Sequence, residues 1–186
     1  IELIDLDAVK RGFNVNVFAV IDITQQLIPL LNQKHSKIIN ISSKSGRIAM
    51  PFTGAYAASK FALEAISDAL RRELSITGIK VVVVQPGAVR TPIWEKADQI
   101  NLDKYTGSRY ETVMAAVKER VIEGGRNGAD PHKLAELIYH IIQEDKPKNR
   151  YIFAKKPFME IRLLRLLPAR WLDRKISQAL YGKKNS

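Results

Sequence analysis

The 186-residue chain has no cysteine. That excludes a disulfide framework, thiol catalysis and thiolate metal sites, and it suits a reducing compartment. Its three histidines, His35, His132 and His140, are scattered, and none stands at metal-ligand spacing from another. No apolar run is long enough to span a bilayer, and the N-terminus does not read as a secretory signal. Internal repeats and low-complexity segments are lacking too. Acidic residues are scarce at one end: from Lys146 to Ser186, twelve Lys/Arg stand against Glu160 and Asp173, so this stretch carries +10 of the net +11. The basicity therefore belongs to the tail and not to the fold. With 46% hydrophobic and 26% charged residues, the composition is that of one globular domain with a real core.

What is present is organised around Lys37 to Lys60, KIINISSKSGRIAMPFTGAYAASK. Ile38–Ile41 reads as a short buried strand, followed by Ser42 and Ser43 and by a loop holding Gly46 and Pro51. A helix then opens with Tyr56 and carries Lys60 four residues on, so the phenol and the ammonium share one helical face. Upstream, Asp5 or Asp7 caps a helix that runs to about Leu31. Asn14 and Asn16 lie inside it, where asparagine is a poor helix former, and the pair suggests that Asn16 faces inward to hold a polar group or water.

Downstream, the Tyr56 helix continues through FALEAISDALRREL, with apolar residues at 61, 62, 65, 66, 69 and 70, and stops at Gly78. Ile79–Val84 is a β-branched run typical of a parallel strand buried on both faces. The order helix, strand, helix, strand predicts an α/β fold, the C-terminal part of a doubly wound parallel sheet in three αβα layers. Residues 93–127 read as an insertion over the site, with a helix from about Ser108 to Glu123 broken by Gly124 and Gly125. Asp130 and Pro131 open a further helix to about Glu144, and Tyr151–Ala154 is a last short strand. Residues 1–156 form the domain on this reading, and 157–186 form a basic amphipathic helical tail interrupted at Pro168.

A proton-transfer site follows from these residue types. A cation beside a phenol favours its ionised form, and so does the positive end of a helix dipole. Such a tyrosine can exchange a proton with a substrate oxygen, and the Ser43 hydroxyl can hydrogen-bond the same oxygen. None of these groups moves electrons, so hydride chemistry requires a bound cofactor. Ser43 and the Pro86–Gly87 turn both follow strand ends, where ligands bind in open α/β sheets.

The segments NVNVF, IINISSKSG, YAASK and VVQPGAVRTP together resemble the catalytic half of the short-chain dehydrogenase/reductase family, a Rossmann-type fold. A YxxxK pattern alone is weak; joined to a serine thirteen residues earlier and to a PG turn after the next strand it is specific. The resemblance implies Tyr56 as general acid and base, Ser43 as orienter of the substrate oxygen, and Lys60 as the group that eases ionisation of Tyr56 and bonds a nicotinamide ribose. It also implies that Asn16 anchors a water leading to Lys60. Pro86, Gly87, Val89 and Thr91 border the nicotinamide on this reading, with NAD or NADP as cofactor. FALEAISDALRREL and PGAVRTPIW resemble the hydroxysteroid and retinol dehydrogenase branches. That implies an apolar alcohol or ketone as substrate, with Ile93, Trp94, Tyr105 and Met114 as pocket walls.

The family's glycine-rich cofactor half has no counterpart here, and the chain opens at Ile1 directly into a helix. The expectation is a fragment of a longer enzyme, with a bare edge on its first strand. The alternative is an inactive binding or scaffolding protein that retains the fold. Expected partners are the small alcohol or ketone, a second copy docked through the Tyr56 helix and its neighbour, and a membrane surface met by the tail. Nucleic acid is not expected, because no reading motif accompanies the charge. The expected location is the cytoplasm, with membrane contact through the tail.

Overall fold

The structure is a computed structural model that describes residues 1–31, 35–154 and 167–182. Its centre is strand β2, Lys80–Pro86, which is buried from Val81 onward. β1, Lys37–Ile41, runs parallel on one side, from Lys37 opposite Lys80 to Ile41 opposite Val84. β3, Arg150–Phe153, runs parallel on the other side, from Val83 opposite Arg150 to Pro86 opposite Phe153. Side chains alternate across a strand, so the valine run of β2 feeds two cores. Val81 joins Leu74 and Ile79, packed by Ile28, Leu31, Ile38 and Leu70. Val82 and Val84 join Ile141, packed by Ile39, Leu134, Leu137 and Tyr151. Helices thus cover both faces, the three-layer arrangement that the β-branched run predicts.

The expectation of a buried first strand needs correction. β1 is half-buried and Ile41 is 42% exposed. Among the described residues β1 has a strand neighbour on one side only. An open cleft of about 310 Å³ follows its free side, lined in part by Val20, Ile23, Leu27 and Ile38.

The N-terminal helix is not continuous. α1 (Leu6–Phe13) passes into a π-helical turn at Asn14–Phe18, then α2 (Ala19–Leu27) and a 3-10 turn at Ile28–Leu30. Asp5 is the cap, its carboxylate accepting from the Asp7 amide at 2.9 Å. Both asparagines fall in the π turn, where the Ala19 amide reaches back to the Asn14 carbonyl. Wide turns of this kind interrupt the regular ladder and concentrate at functional sites.

α3 spans Gly54–Glu73, and its buried residues are Ala57, Ser59, Leu63, Glu64 and Ser67. Three of these five are polar, while Phe61, Ala65 and Ala69 of the expected apolar face are exposed and Ala62, Ile66 and Leu70 are half-buried. The buried hydroxyls are satisfied locally and across the layer: Ser67 donates to the Leu63 carbonyl at 2.6 Å and accepts from Asn40 of β1 at 2.9 Å.

After β2 come α4 (Ile93–Asp98), α5 (Glu111–Arg126) and α6 (Pro131–Gln143). α5 runs through Gly124 and Gly125 rather than breaking there, and ends at Asn127. α6 begins as expected, the Asp130 carboxylate accepting from the His132 amide at 2.9 Å with Pro131 in the first turn. α7, Ala169–Tyr181, follows Pro168 and meets α5, where Arg120 donates to the Ala179 carbonyl at 3.2 Å. The expected tail helix between Pro157 and Pro168 lies outside the described residues except for its last two.

Candidate active site

The carboxyl ends of β1 and β2 carry the site. The Ser42 amide donates to the Val84 carbonyl at 2.8 Å and so extends the β1–β2 ladder by one residue. Ser43 then turns out of the strand. Its Oγ accepts from the Ser45 amide at 3.1 Å and caps the 3-10 turn Lys44–Gly46. A serine hydroxyl has one proton to give, and accepting from Ser45 leaves that proton for another oxygen. The turn lies flat on α3: a Cβ on Gly46 would sit 2.7 Å from Ser42 Oγ and 3.0 Å from the Lys60 carbonyl, so only glycine lets the loop approach this closely.

Tyr56 is the third residue of α3, in the positive first turn, and is 46% exposed. Lys60 follows one turn later, its Nζ 5.9 Å from the centre of the Tyr56 ring. Nζ donates to the Ile41 carbonyl at 3.0 Å, which ties the lysine to the strand end beside Ser42 and Ser43. Burial pushes the Lys60 ammonium below the ordinary lysine value. An ammonium has three N–H groups, so two remain for other partners. Asn16 meets this helix indirectly: its Nδ2 donates to Ser59 Oγ at 3.1 Å, and Ser59 donates to the Tyr56 carbonyl at 2.8 Å. The π turn is thereby linked to the backbone of Tyr56.

Pro86 closes β2, and the Gly87 amide donates to the Phe153 carbonyl at 2.7 Å. Val89 forms an isolated parallel bridge with Ala129, and its carbonyl accepts from Trp94 Nε1 at 2.7 Å. Thr91 is exposed just beyond. The structure thus collects Ser43, Lys60, Pro86 and Gly87 at one end of the sheet, with Tyr56 at the start of the helix above it.

The four residues expected as pocket walls behave differently from one another. Trp94 is fastened by its indole N–H to Val89 and seated on Gly125, whose Cβ, if present, would overlap the ring. Met114 is core, at 8% exposure, while Ile93 is 62% exposed. Tyr105 is half-buried with the Lys104 ammonium over its ring. Phe52, in the loop before α3, holds a left-handed φ of 65° that a non-glycine residue rarely adopts. Its ring meets Tyr110 edge-on at 5.5 Å, joining that loop to the insertion.

A buried ionic group next to the site was not foreseen. Glu64, one turn beyond Lys60, is 4% exposed. It accepts from Gln85 Nε2 at 2.8 Å and from Arg150 Nε at 3.0 Å. Arg150 also pairs with Asp68 at 2.8 Å. Burial works against the Arg150 charge, but the carboxylates of Asp68 and Glu64 more than offset it and hold its pKa up; Arg150 in turn holds Asp68 below the usual carboxylate value. The signal was there as spacing: Tyr56, Lys60, Glu64 and Asp68 recur every fourth residue along one stripe.

Among the described residues no group of three or more His, Asp or Glu is placed to hold a metal ion.

The fold agrees with comparisons to known proteins. The sequence model of short chain dehydrogenases matches residues 1–101, and the chain belongs to that family. It is 36% identical over 179 residues to an NADPH-dependent 3-dehydrocapnine reductase of Ornithobacterium rhinotracheale, covering 94% of this chain and 63% of that protein. It is also 36% identical over 180 residues to a probable short-chain type dehydrogenase/reductase of Helicobacter pylori, covering 96% and 66% respectively. The crystal structure of a short-chain dehydrogenase from Streptomyces avermitilis superposes with a TM-score of 0.69 at 22% identity, over 99% of this chain and 65% of that one, a likeness of fold. The chain therefore spans just under two thirds of the length of these relatives.

Proposed function

We propose that the protein, in its complete form, is an NAD(P)-dependent oxidoreductase that interconverts an alcohol and a carbonyl compound, with Tyr56 as the general acid and base. The observation that carries this reading is the tether of Lys60. Its Nζ is held on the Ile41 carbonyl at 3.0 Å, 5.9 Å from the Tyr56 ring, at the strand end that bears Ser43. In alcohol oxidation Tyr56 Oη takes the hydroxyl proton as the carbonyl forms; in reduction it returns that proton to the oxygen. Ser43 gives its free O–H to the same oxygen and fixes its position. Asn16, held by Ser59, keeps the π turn against α3 and anchors a water on the path from Lys60 to solvent.

The donor set fits the nicotinamide and ribose end of a dinucleotide. Lys60 retains two N–H groups, Tyr56 is exposed, and the exposed Thr91 hydroxyl follows the Pro86–Gly87 turn and Val89. When bound, that cofactor supplies the hydride acceptor or donor; the name of the reductase relative favours NADPH without deciding the choice. The branch-like text FALEAISDALRREL and PGAVRTPIW supports an apolar alcohol or ketone as substrate.

Two further expectations complete the proposal. The exposed faces of the π turn and of α3, with Phe18 at 57% and Phe61 at 44% exposure, support docking of a second copy. α7 and the basic tail around it support contact with an anionic membrane from the cytoplasm, and no helix among the described residues is long and apolar enough to cross one.

The test is Tyr56→Phe in the complete chain. Turnover of a ketone panel should fall by about 10²- to 10⁴-fold while cofactor affinity, read by NADPH fluorescence, changes little. A fully active Tyr56→Phe variant refutes the mechanism. Absence of cofactor binding by the wild-type complete chain would favour the alternative of an inactive binding or scaffolding protein.

A further inference from the structure

We infer that Glu64 is a positioning residue that holds three parts of the site in register: the Ser43 turn, the Tyr56–Lys60 helix and the Pro86–Gly87 turn. The inference deepens the oxidoreductase reading and rests on it for its catalytic consequence.

Glu64 sits on α3 one turn past Lys60, and its carboxylate reaches three other segments. Oε1 accepts from Gln85, the residue immediately before the Pro86–Gly87 turn, at 2.8 Å. Oε2 accepts from Arg150 at 3.0 Å, at the start of β3, the strand whose Phe153 carbonyl holds the Gly87 amide at 2.7 Å. The same oxygen lies 3.9 Å from the Arg47 guanidinium, in the loop that leaves the Ser43 turn. Gly46, next to Arg47, packs over the same place: its Cβ position lies 3.1 Å from Glu64 Cγ and 3.0 Å from the Lys60 carbonyl.

An ordinary stability contact joins two elements. This one joins four, and three of them carry proposed site groups within four residues of the contact. A carboxylate this buried is costly unless it is hydrogen-bonded and paired, and removing it leaves Gln85 Nε2 and Arg150 Nε without the acceptor they have here. The neighbouring pairs Arg150–Asp68 and Asp68–Arg71, at 2.8 and 3.3 Å, fix Arg150 from its other side. They do not reach the Ser43 turn.

The experiment uses Glu64→Gln in the complete chain. A second, paired variant, Glu64→Leu with Arg150→Met, removes both charges at similar volume and so avoids an orphaned buried ion. The first readout is amide hydrogen exchange, which needs no activity. The amides of Ser45, Gly46 and Gly87 should exchange faster by roughly 5- to 100-fold, the local opening that follows from losing a buried polar partner, while Val83 in β2 stays protected. Unchanged exchange at those three amides overturns the inference, and so does a uniform rise that includes Val83, because that is the mark of a merely structural contact. The second readout is kinetic: kcat should fall by about tenfold or more with KM changed by less than about threefold. A kcat equal to wild type also overturns the inference. If the wild-type enzyme shows no turnover at all, the oxidoreductase reading fails, and hydrogen exchange alone still decides whether Glu64 sets the register.

Discussion

Gly124 and Gly125 are adjacent on α5, yet alanine should have opposite effects at the two positions. Gly124 is exposed and a Cβ there meets nothing within 4 Å. Gly124→Ala therefore gains helix propensity alone, about 0.8–1 kcal/mol. Gly125 is buried beneath Trp94, and a Cβ there would overlap the benzo half of the indole. Gly125→Ala has the same propensity gain, but it forces the ring away at a cost of about 1–3 kcal/mol. The displaced ring also gives up its bond to the Val89 carbonyl at 2.7 Å, a further loss of about 1 kcal/mol. The net effect is a destabilisation of roughly 1–3 kcal/mol, so the two variants should differ by about 2–4 kcal/mol. For a chain of this size that separates their Tm values by roughly 4–16 °C. Urea denaturation in a Trp171→Phe background makes Trp94 the single tryptophan, because the chain has two. Its emission should shift to the red in Gly125→Ala and stay put in Gly124→Ala. Equal midpoints for the two variants, with Trp94 emission unchanged, would refute the assignment of Trp94 as the fastener between α4, α5 and the loop after β2.

Other expected outcomes concern charge and surfaces. Burial depresses the Lys60 pKa below the ordinary lysine value of 10.5, so between the depressed value and 10.5 the unfolded chain binds more protons and stability rises with pH. Lys60→Met should flatten that rise in urea midpoints taken from neutral pH to about pH 10.5, and an identical slope in both proteins would contradict the burial argument. Phe61→Glu places a charge on the exposed face of α3. Sedimentation velocity should show a smaller species than wild type, and an unaltered profile removes this face from the proposed homo-oligomer. Liposomes with anionic lipid should float the complete protein and not a form ending at Pro157; equal flotation of both sinks the membrane proposal.

How much was legible in the sequence differs from element to element. The parallel strand Lys80–Pro86 was readable because a β-branched run has few alternatives to burial on both faces. The start of α6 at Asp130 and Pro131 was equally plain, since capping is a local interaction. Ile38–Ile41 misled, because a strand's burial depends on neighbours in the sheet that its own residues do not encode. Gly124–Gly125 misled for a related reason: the glycine pair looks like a break, and only the indole of Trp94, far earlier in the chain, explains why Gly125 is needed inside a helix. On α3 half of the expected apolar positions, Phe61, Ala65 and Ala69, point outward, while the polar Ser59, Glu64 and Ser67 are buried beside Ala57 and Leu63.

The sequence by itself determined the chemistry on offer: a serine at a strand end, a tyrosine and a lysine one turn apart, an asparagine pair in a helix, and a PG turn after the next strand. These are local patterns, set by spacing along one element. Only the tertiary structure decided that Asn14 and Asn16 occupy a π turn, that Asn16 reaches Tyr56 through Ser59, and that Lys60 is tethered to Ile41. It alone showed that Glu64 is a buried acceptor for Gln85 and Arg150 and not part of a solvated face. The physical reason is range. Helical period and capping act over three or four residues. A buried carboxylate is tolerated only where donors from distant segments converge on it, and that convergence exists once the sheet has formed.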